Sequence, residues 1–521
     1  MRWLLSSLRT VVALVAALAC ATDAARILAV ESMAGVSHWN FLSGVLRALV
    51  DNGHTITAFT AFPTADGDRP NDNYTEVDLS RELLPTLNNP MADMVKMWRT
   101  PVGQAFEWAR RSRFVCDKVY GHPAMKEILR SRHRDGRPPF DVVIVEPLLS
   151  DCVSYVARQL GVPLIFSTAL PAIGLMERLY TGHALNPATT SYLLASHGVP
   201  KTFMQRLSNS ALFAYSSIAV QYAERVLRYT EPKEYDTAPP ITTSLVFVNG
   251  HYVSEHPNPV LPSTILVGGI HLRPPKKLPE DILEFIEQSS HGVIYFTFGS
   301  TVKMSSIPEH IRNAFIDALA KIPQRVLWKY EDELENKPKN VMVKKWLPQR
   351  DILMHPKVKL FISHGGISGL YEAVDAGVPV LGFPLFSDQY RNIDNLVNAG
   401  MAISMDLLSV SEETLLKHVL ELINNKKYTI NAKTASNVFK DRPMTPAQSV
   451  VYWTEYVLRH KGAPHLKSHA INLTWYQYYL LDVISFTIIL ISVIIFSILK
   501  ILKFVYKCIS KCYNNVKAKI E

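Results

Sequence analysis

Between Trp346 and Gln389 the chain carries two strand–turn–helix units in direct succession, a pattern that fits a parallel α/β sheet. Lys359-Leu360-Phe361-Ile362-Ser363 is a short apolar run of the kind buried on both faces. The turn that follows, His364-Gly365-Gly366, lets the backbone come close to a ligand. The pattern then predicts a helix from about Ile367 to Asp375 that stops before Gly377, and a strand over Val378–Phe383. A glycine turn that ends a strand and opens a helix gathers unpaired N–H groups and the positive end of the helix dipole. Phosphate groups bind at such places.

The neighbouring side chains suit a nucleotide-diphosphate sugar. Trp346 offers a flat face for a base, and Gln349 can bond a ribose or base edge. His364 and the amides of Gly365 and Gly366 face the diphosphate, and Glu372 can accept from ribose hydroxyls. Asp388 and Gln389 can bond several sugar hydroxyls. Gly299-Ser300-Thr301, after the strand Gly292–Phe298, gives a second small-residue phosphate contact. In this order and spacing the set resembles the signature of the UDP-glycosyltransferases, the family that includes the UDP-glucuronosyltransferases. Ser363 and Ile367-Ser368-Gly369 look like its membrane-bound invertebrate members, and Ser368 joins the UDP-sugar contacts.

The resemblance covers nearly the whole chain and is strongest from about Val293 to Gly400. It implies an α/β fold of two facing Rossmann-like, doubly wound domains (GT-B type), the first for acceptor and the second for UDP-sugar. It also implies inversion at the anomeric carbon, a UDP-sugar co-substrate, no cofactor and no metal. Asp66-Gly67-Asp68 formally matches a metal-binding acidic pair, but Asp-Gly is ordinary turn chemistry and reads as a solvated turn.

The 521 residues hold two such domains and more. Met1 to about Ala21 reads as a signal peptide, with Arg2 and Arg9 before a short apolar run and Ala19-Cys20-Ala21 as a cleavage pattern. Residues 26–270 form the expected acceptor domain and 278–460 the UDP-sugar domain, joined through the Pro274-Pro275-Lys276-Lys277 cluster. Residues 480–502 read as one membrane span behind an aromatic belt of Trp475, Tyr476, Tyr478 and Tyr479. The tail, 503–521, ends with Lys517 and Lys519 placed as in a dilysine retrieval signal. A type I protein of the endoplasmic reticulum follows, with its body in the lumen. The net charge of +9 is concentrated there, since Lys500, Lys503, Lys507, Lys511, Lys517 and Lys519 lie close together, so nucleic-acid binding is not expected. Cys116 and Cys152, the two cysteines of the main body, read as buried free thiols unless the fold brings them together. Asn73 and Asn472 are glycosylation acceptors by pattern, the latter close to the span.

His38 follows the first strand, Arg26–Val30, and precedes a helix expected from about Asn40 to Asn52. It matches the family's catalytic histidine. An imidazole titrates near neutral pH and can take the proton of an attacking hydroxyl. A carboxylate on its other nitrogen would fix the tautomer. Where the family carries Asp, this chain has Glu146, and Asp151 lies five residues on; either fits the role or caps the next helix. The expected reaction moves glucose or glucuronate to a small lipophilic acceptor. A carboxylate at C6 would need a cation, for which Arg391 and His271 are the candidates. A non-catalytic binding subunit on the same fold, and a transferase for lipid or glycan acceptors, are the alternatives. Self-association is a further expectation.

Overall fold

The computed structural model describes residues 24–64, 72–84, 104–131, 136–147, 152–171, 177–193, 195, 197–236, 242–300 and 302–520. The leader, Asp66-Gly67-Asp68, Asp151 and Thr301 lie outside these residues.

The first half alternates strands and helices: β1 (Arg26–Val30), α1 (Val36–Asp51), β2 (Thr55–Thr60), β3 (Tyr74–Asp78), α2 (Gln104–Gly121), β4 (Val142–Val145), β5 (Leu164–Thr168), β6 (Leu245–Val248) and β7 (Thr264–Leu266). The order across the sheet is 3-2-1-4-5-6-7, with every pair parallel. The apolar runs in β1, β4 and β6 are buried throughout or nearly so, as strands covered on both faces must be. Helix α1 starts about four residues earlier than its apolar period suggests. Gly35, in extended conformation, is its N-cap, so His38 is already inside the first turn.

The second half repeats the plan with β8 (Val293–Thr297), β9 (Arg325–Lys329), β10 (Val341–Lys344), β11 (Val358–Ser363), α3 (Ile367–Ala376), β12 (Val380–Gly382), α4 (Gln389–Asn398) and β13 (Ala402–Ser404). Its order is 10-9-8-11-12-13, again all parallel. Gly377 closes α3 in the left-handed region at φ 68°, which explains the stop read from the sequence. One face packs around Trp328, which stacks on Phe296 with ring centroids 4.7 Å apart. Each fully buried Phe there contributes roughly 1.5–3 kcal/mol.

Two features differ from the chain order. Helix α5 (Pro446–Arg459), opened by a Thr445–Gln448 capping box, does not stay with the second half. It lays Val450 and Val457 into the core that α1 makes with the first sheet. The chain therefore crosses twice between the halves, and the first core includes residues from the stretch read as the UDP-sugar domain. Cys116 and Cys152 are joined in a disulfide with Cα atoms 6.3 Å apart, which corrects the free-thiol reading. Their separation of 36 residues hid the contact, because α2 folds back over the segment after β4. Closing a loop of this length stabilises by about 3–4 kcal/mol in the chain-entropy account. Replacing both cysteines by serine is expected to lower the unfolding free energy by that order, read as a fall in Tm under non-reducing conditions.

Residues 468–521 form a separate unit. Helix α6 (Leu481–Ile520) is 40 residues long, and the lysine-bearing tail continues it rather than unwinding. It is long and apolar enough to cross a membrane, and none of its most apolar stretch is buried by protein. The span read over 480–502 lies almost wholly within it.

Candidate active site

In both sheets the strand order reverses at one place, and the residues singled out from sequence follow the strands that flank it. In the first sheet these are β1 and β4, paired so that Val30 lies opposite Val145. The next residue on each, Glu31 and Glu146, therefore leaves the sheet beside the other. In the second sheet they are β8 and β11, followed by Gly299 and by His364-Gly365-Gly366. Open α/β sheets bind ligands in the crevice at such a reversal.

His38 and Glu146 meet there. The imidazole Nδ1 lies 2.6 Å from Glu146 Oε1, and the pair is nearly closed off from solvent. Glu146 Oε1 also accepts a longer bond, 3.4 Å, from Ala169 N–H, and the Ser32 hydroxyl donates to the Glu146 carbonyl. The His38 ring folds back over Gly35, where an added Cβ would stand 2.9 Å from its Cδ2, so that position has no room for a side chain. Ala34, at φ 54°, takes the left-handed conformation that an L-residue adopts at a cost, a strain often found at functional loops. Burial disfavours the His38 imidazolium. The Glu146 charge and hydrogen bond, with Glu31 and Asp388 behind them, outweigh that and hold its pKa above the ordinary histidine value. Glu146 lies beside His38, and Asp151 is outside the described residues.

The second half gathers glycines around His364. The His364 ring lies between two glycines: a Cβ on Gly299 or on Gly366 would come within 2.7 Å of it. Gly365 sits at φ 92° with Ile393 and the Gln389 carbonyl against it. Burial, aided by the nearby Lys329 ammonium, pushes the His364 pKa down to about 4, so the ring is neutral at physiological pH. Its buried Nδ1 has no hydrogen-bond partner among the described residues. Lys329 is fixed beside it, donating to the Gly299 carbonyl at 2.9 Å and to Glu331 at 3.1 Å. Ser300 is exposed at this turn, and Gly366 caps the ten-residue helix α3.

The remaining predicted contacts are arranged around the same end of the sheet. Trp346 is 68% exposed. Gln349 donates to Glu372 at 2.7 Å, so the two act as a coupled pair rather than separately. Burial raises the Glu372 pKa to about 7. Asp388 is buried at the start of α4 and accepts from Asn392 at 2.6 Å; burial raises its pKa, and His38 is near enough to oppose that. The Gln389 Oε1 accepts from the Leu385 and Phe386 N–H groups. Ser368 keeps its buried Oγ without a partner among the described residues, while its carbonyl binds His271.

Both cations considered for a donor carboxylate have partners within the protein. His271 Nε2 donates to the Ser368 carbonyl at 3.1 Å, and burial lowers its pKa to about 4, so it is neutral. Arg391 is buried and donates to the Ser191 carbonyl at 3.2 Å, with Glu255 3.8 Å away; it ties the second half to the first. Glu31, which sequence reasoning passed over, is fully buried beside Glu146. The signal was available: a Glu directly after each of two apolar strands, at matching ends.

Residues 25–517 match the protein family described as "UDP-glucoronosyl and UDP-glucosyl transferase". UDP-glucosyltransferase 2 of Dactylopius coccus is 37% identical over 495 residues, covering 92% of this chain and 93% of that one. The mouse UDP-glucuronosyltransferase 2B17 is 32% identical over 510 residues, covering 92% and 93%. Among solved structures, a UDP-glucosyltransferase from Polygonum tinctorium capable of glucosylating indoxyl superimposes with a TM-score of 0.54 at 17% identity, over 84% of this chain and 99% of that one. That likeness confirms the GT-B fold. A match over almost the full length places this chain in the UDP-glucuronosyl and UDP-glucosyl transferase family.

Proposed function

We propose that this enzyme moves a hexose from a UDP-sugar to a hydroxyl group of a small lipophilic acceptor, with inversion, using His38 as the base. The observation that carries this is the buried His38–Glu146 pair at the sheet reversal, with Asp388 of the other half close enough to act on its charge. The acceptor hydroxyl gives its proton to His38 Nε2 as its oxygen attacks C1. Glu146 holds the opposite nitrogen and stabilises the imidazolium. UDP leaves with its charge met by a cradle of the Gly366 amide, the N-terminus of α3 and His364, while Gly299 and Gly365, whose amides donate to the Thr297 and Ser363 hydroxyls, leave room for it. Trp346 and the Gln349–Glu372 pair hold the nucleoside, and Asp388 and Gln389 the sugar. No metal enters this scheme.

A neutral donor, UDP-glucose, suits the site better than UDP-glucuronate. Glu31, Glu146 and Asp388 crowd the His38 end with carboxyl groups, while His271 is neutral and Arg391 is engaged with Ser191 and Glu255. We place the body in the lumen of the endoplasmic reticulum, anchored by α6. The Cys116–Cys152 disulfide fits an oxidising compartment, the lysines beyond the span fit a cytosolic tail, and Asn73 is exposed for glycosylation.

The test supplies UDP-glucose and UDP-glucuronate in parallel to membranes carrying the full chain, with a panel of phenols and flavonoids, and identifies products by mass. Glucosides exceeding glucuronides by tenfold or more are expected. Glucuronides in excess would contradict the donor assignment, and no glycoside from either donor would contradict the transferase reading.

A further inference from the structure

We propose that Glu31 is a positioning residue for His38, a second carboxyl beside the His38–Glu146 pair that sets the pH range in which the imidazole is free to accept a proton. The inference rests on the reading of His38 as the base.

Glu31 is fully buried at the end of β1. Its Oε1 accepts from the Met33 N–H at 3.1 Å and the Gly35 N–H at 3.2 Å, the loop that aims α1 and therefore His38. Its Oε2 is buried and has no hydrogen-bond partner among the described residues, and the same is true of Glu146 Oε2. With the two carboxyl groups on adjacent strand ends, the Glu146 charge raises the cost of ionising Glu31. Glu146 is the better compensated of the two, with His38 and Ala169 on its Oε1. Glu31 accepts from backbone N–H groups alone, and its burial raises the cost of its charge.

The groups that act on Glu31 are Glu146 from the end of β4 and His38 from α1; Asp388, at the start of α4, reaches His38 from the other half. Burial and then repulsion from Glu146 push the Glu31 pKa up to about 7, while His38 pulls it down. Glu31 thus changes charge near neutral pH, beside an imidazole whose pKa is raised above its ordinary value. As it ionises, it stabilises the imidazolium and delays the appearance of the free base to higher pH. A neutral side chain at this position removes that delay.

The experiment reads the His38 titration without relying on turnover. Membranes carrying the full-length protein are treated with diethyl pyrocarbonate, which carbethoxylates neutral imidazole, at a series of pH values. Modification of the His38 peptide is followed by mass spectrometry, in the wild type and in Glu31→Gln. The midpoint is expected to fall by about half a pH unit or more in the variant. The rising limb of kcat/KM should fall with it, and Glu31→Asp, which keeps the charge, should restore both. If the amide cannot be accommodated, as thermal unfolding would reveal, Glu31→Met provides an uncharged side chain of similar length. A midpoint unchanged in the neutral variants overturns the proposal. Failure of the transferase reading would show separately, as absent glycoside from the wild type while His38 still titrates.

Discussion

Replacing His38 by alanine is expected to lower kcat by about 10²–10⁴-fold with an aliphatic alcohol acceptor, the usual contribution of a general base. The loss should appear in kcat and leave UDP affinity within about threefold, since the cradle at Gly299, His364, Gly365 and Gly366 belongs to the second sheet and does not use His38. A merely structural histidine in the first turn of α1 would behave differently. Its removal would lower thermal stability and disturb the first half of the chain, with no preference for the chemical step. Steady-state rates, UDP binding and Tm on the same preparation separate the two.

Replacing Glu146 by glutamine is expected to cost roughly 10²–10⁴-fold in kcat, by the same logic that makes a carboxylate essential behind a catalytic imidazole. The amide keeps the size and can accept from Nδ1–H, but it cannot stabilise the imidazolium that forms as the acceptor loses its proton. A pH signature should accompany the loss. Burial disfavours the charged ring, and Glu146 is the chief influence raising the His38 pKa above its ordinary value. In the wild type the free base therefore appears, and kcat/KM rises, at a pH above the usual histidine range. Without the Glu146 charge that limb should move to lower pH even as the maximal rate collapses. The same limb shift without a comparable collapse is the expectation for Glu31→Gln, so the two carboxyl groups are distinguishable. An unmoved limb in Glu146→Gln would remove Glu146 from the role given to it.

Local pattern carried most of the architecture. The apolar runs of β1, β4, β8 and β11 mark strands covered on both faces, and Gly377 marks the end of α3, because each depends on nearest neighbours and backbone freedom. The glycine turn was legible for the same reason, although what the glycines accommodate was not: His364 needs the space at Gly299, a residue more than sixty positions away. Pairings between distant side chains were the harder part. Glu146 could be named from its place after β4, but its 2.6 Å contact with His38 spans 108 residues and is not local. The disulfide, the return of α5 to the first core and the engagement of Arg391 with Ser191 are equally non-local. A sequence reveals which cations and thiols exist, whereas burial and the partners brought by folding decide whether they are free. Glu31 lay between these cases. The equivalence of the ends of β1 and β4 makes it visible once the two strands are known to be neighbours.

The role of His38 is tested most directly by a series of acceptors that differ in the pKa of the attacking hydroxyl, from aliphatic alcohols to acidic nitrophenols. The ratio of wild-type to His38→Ala rates would be measured for each at one pH. An acceptor already ionised in solution needs no base, so the ratio is expected to shrink from 10²-fold or more for the alcohols to within about tenfold for the acidic phenols. A ratio that stays the same across the whole series would mean that His38 does something other than remove the acceptor's proton.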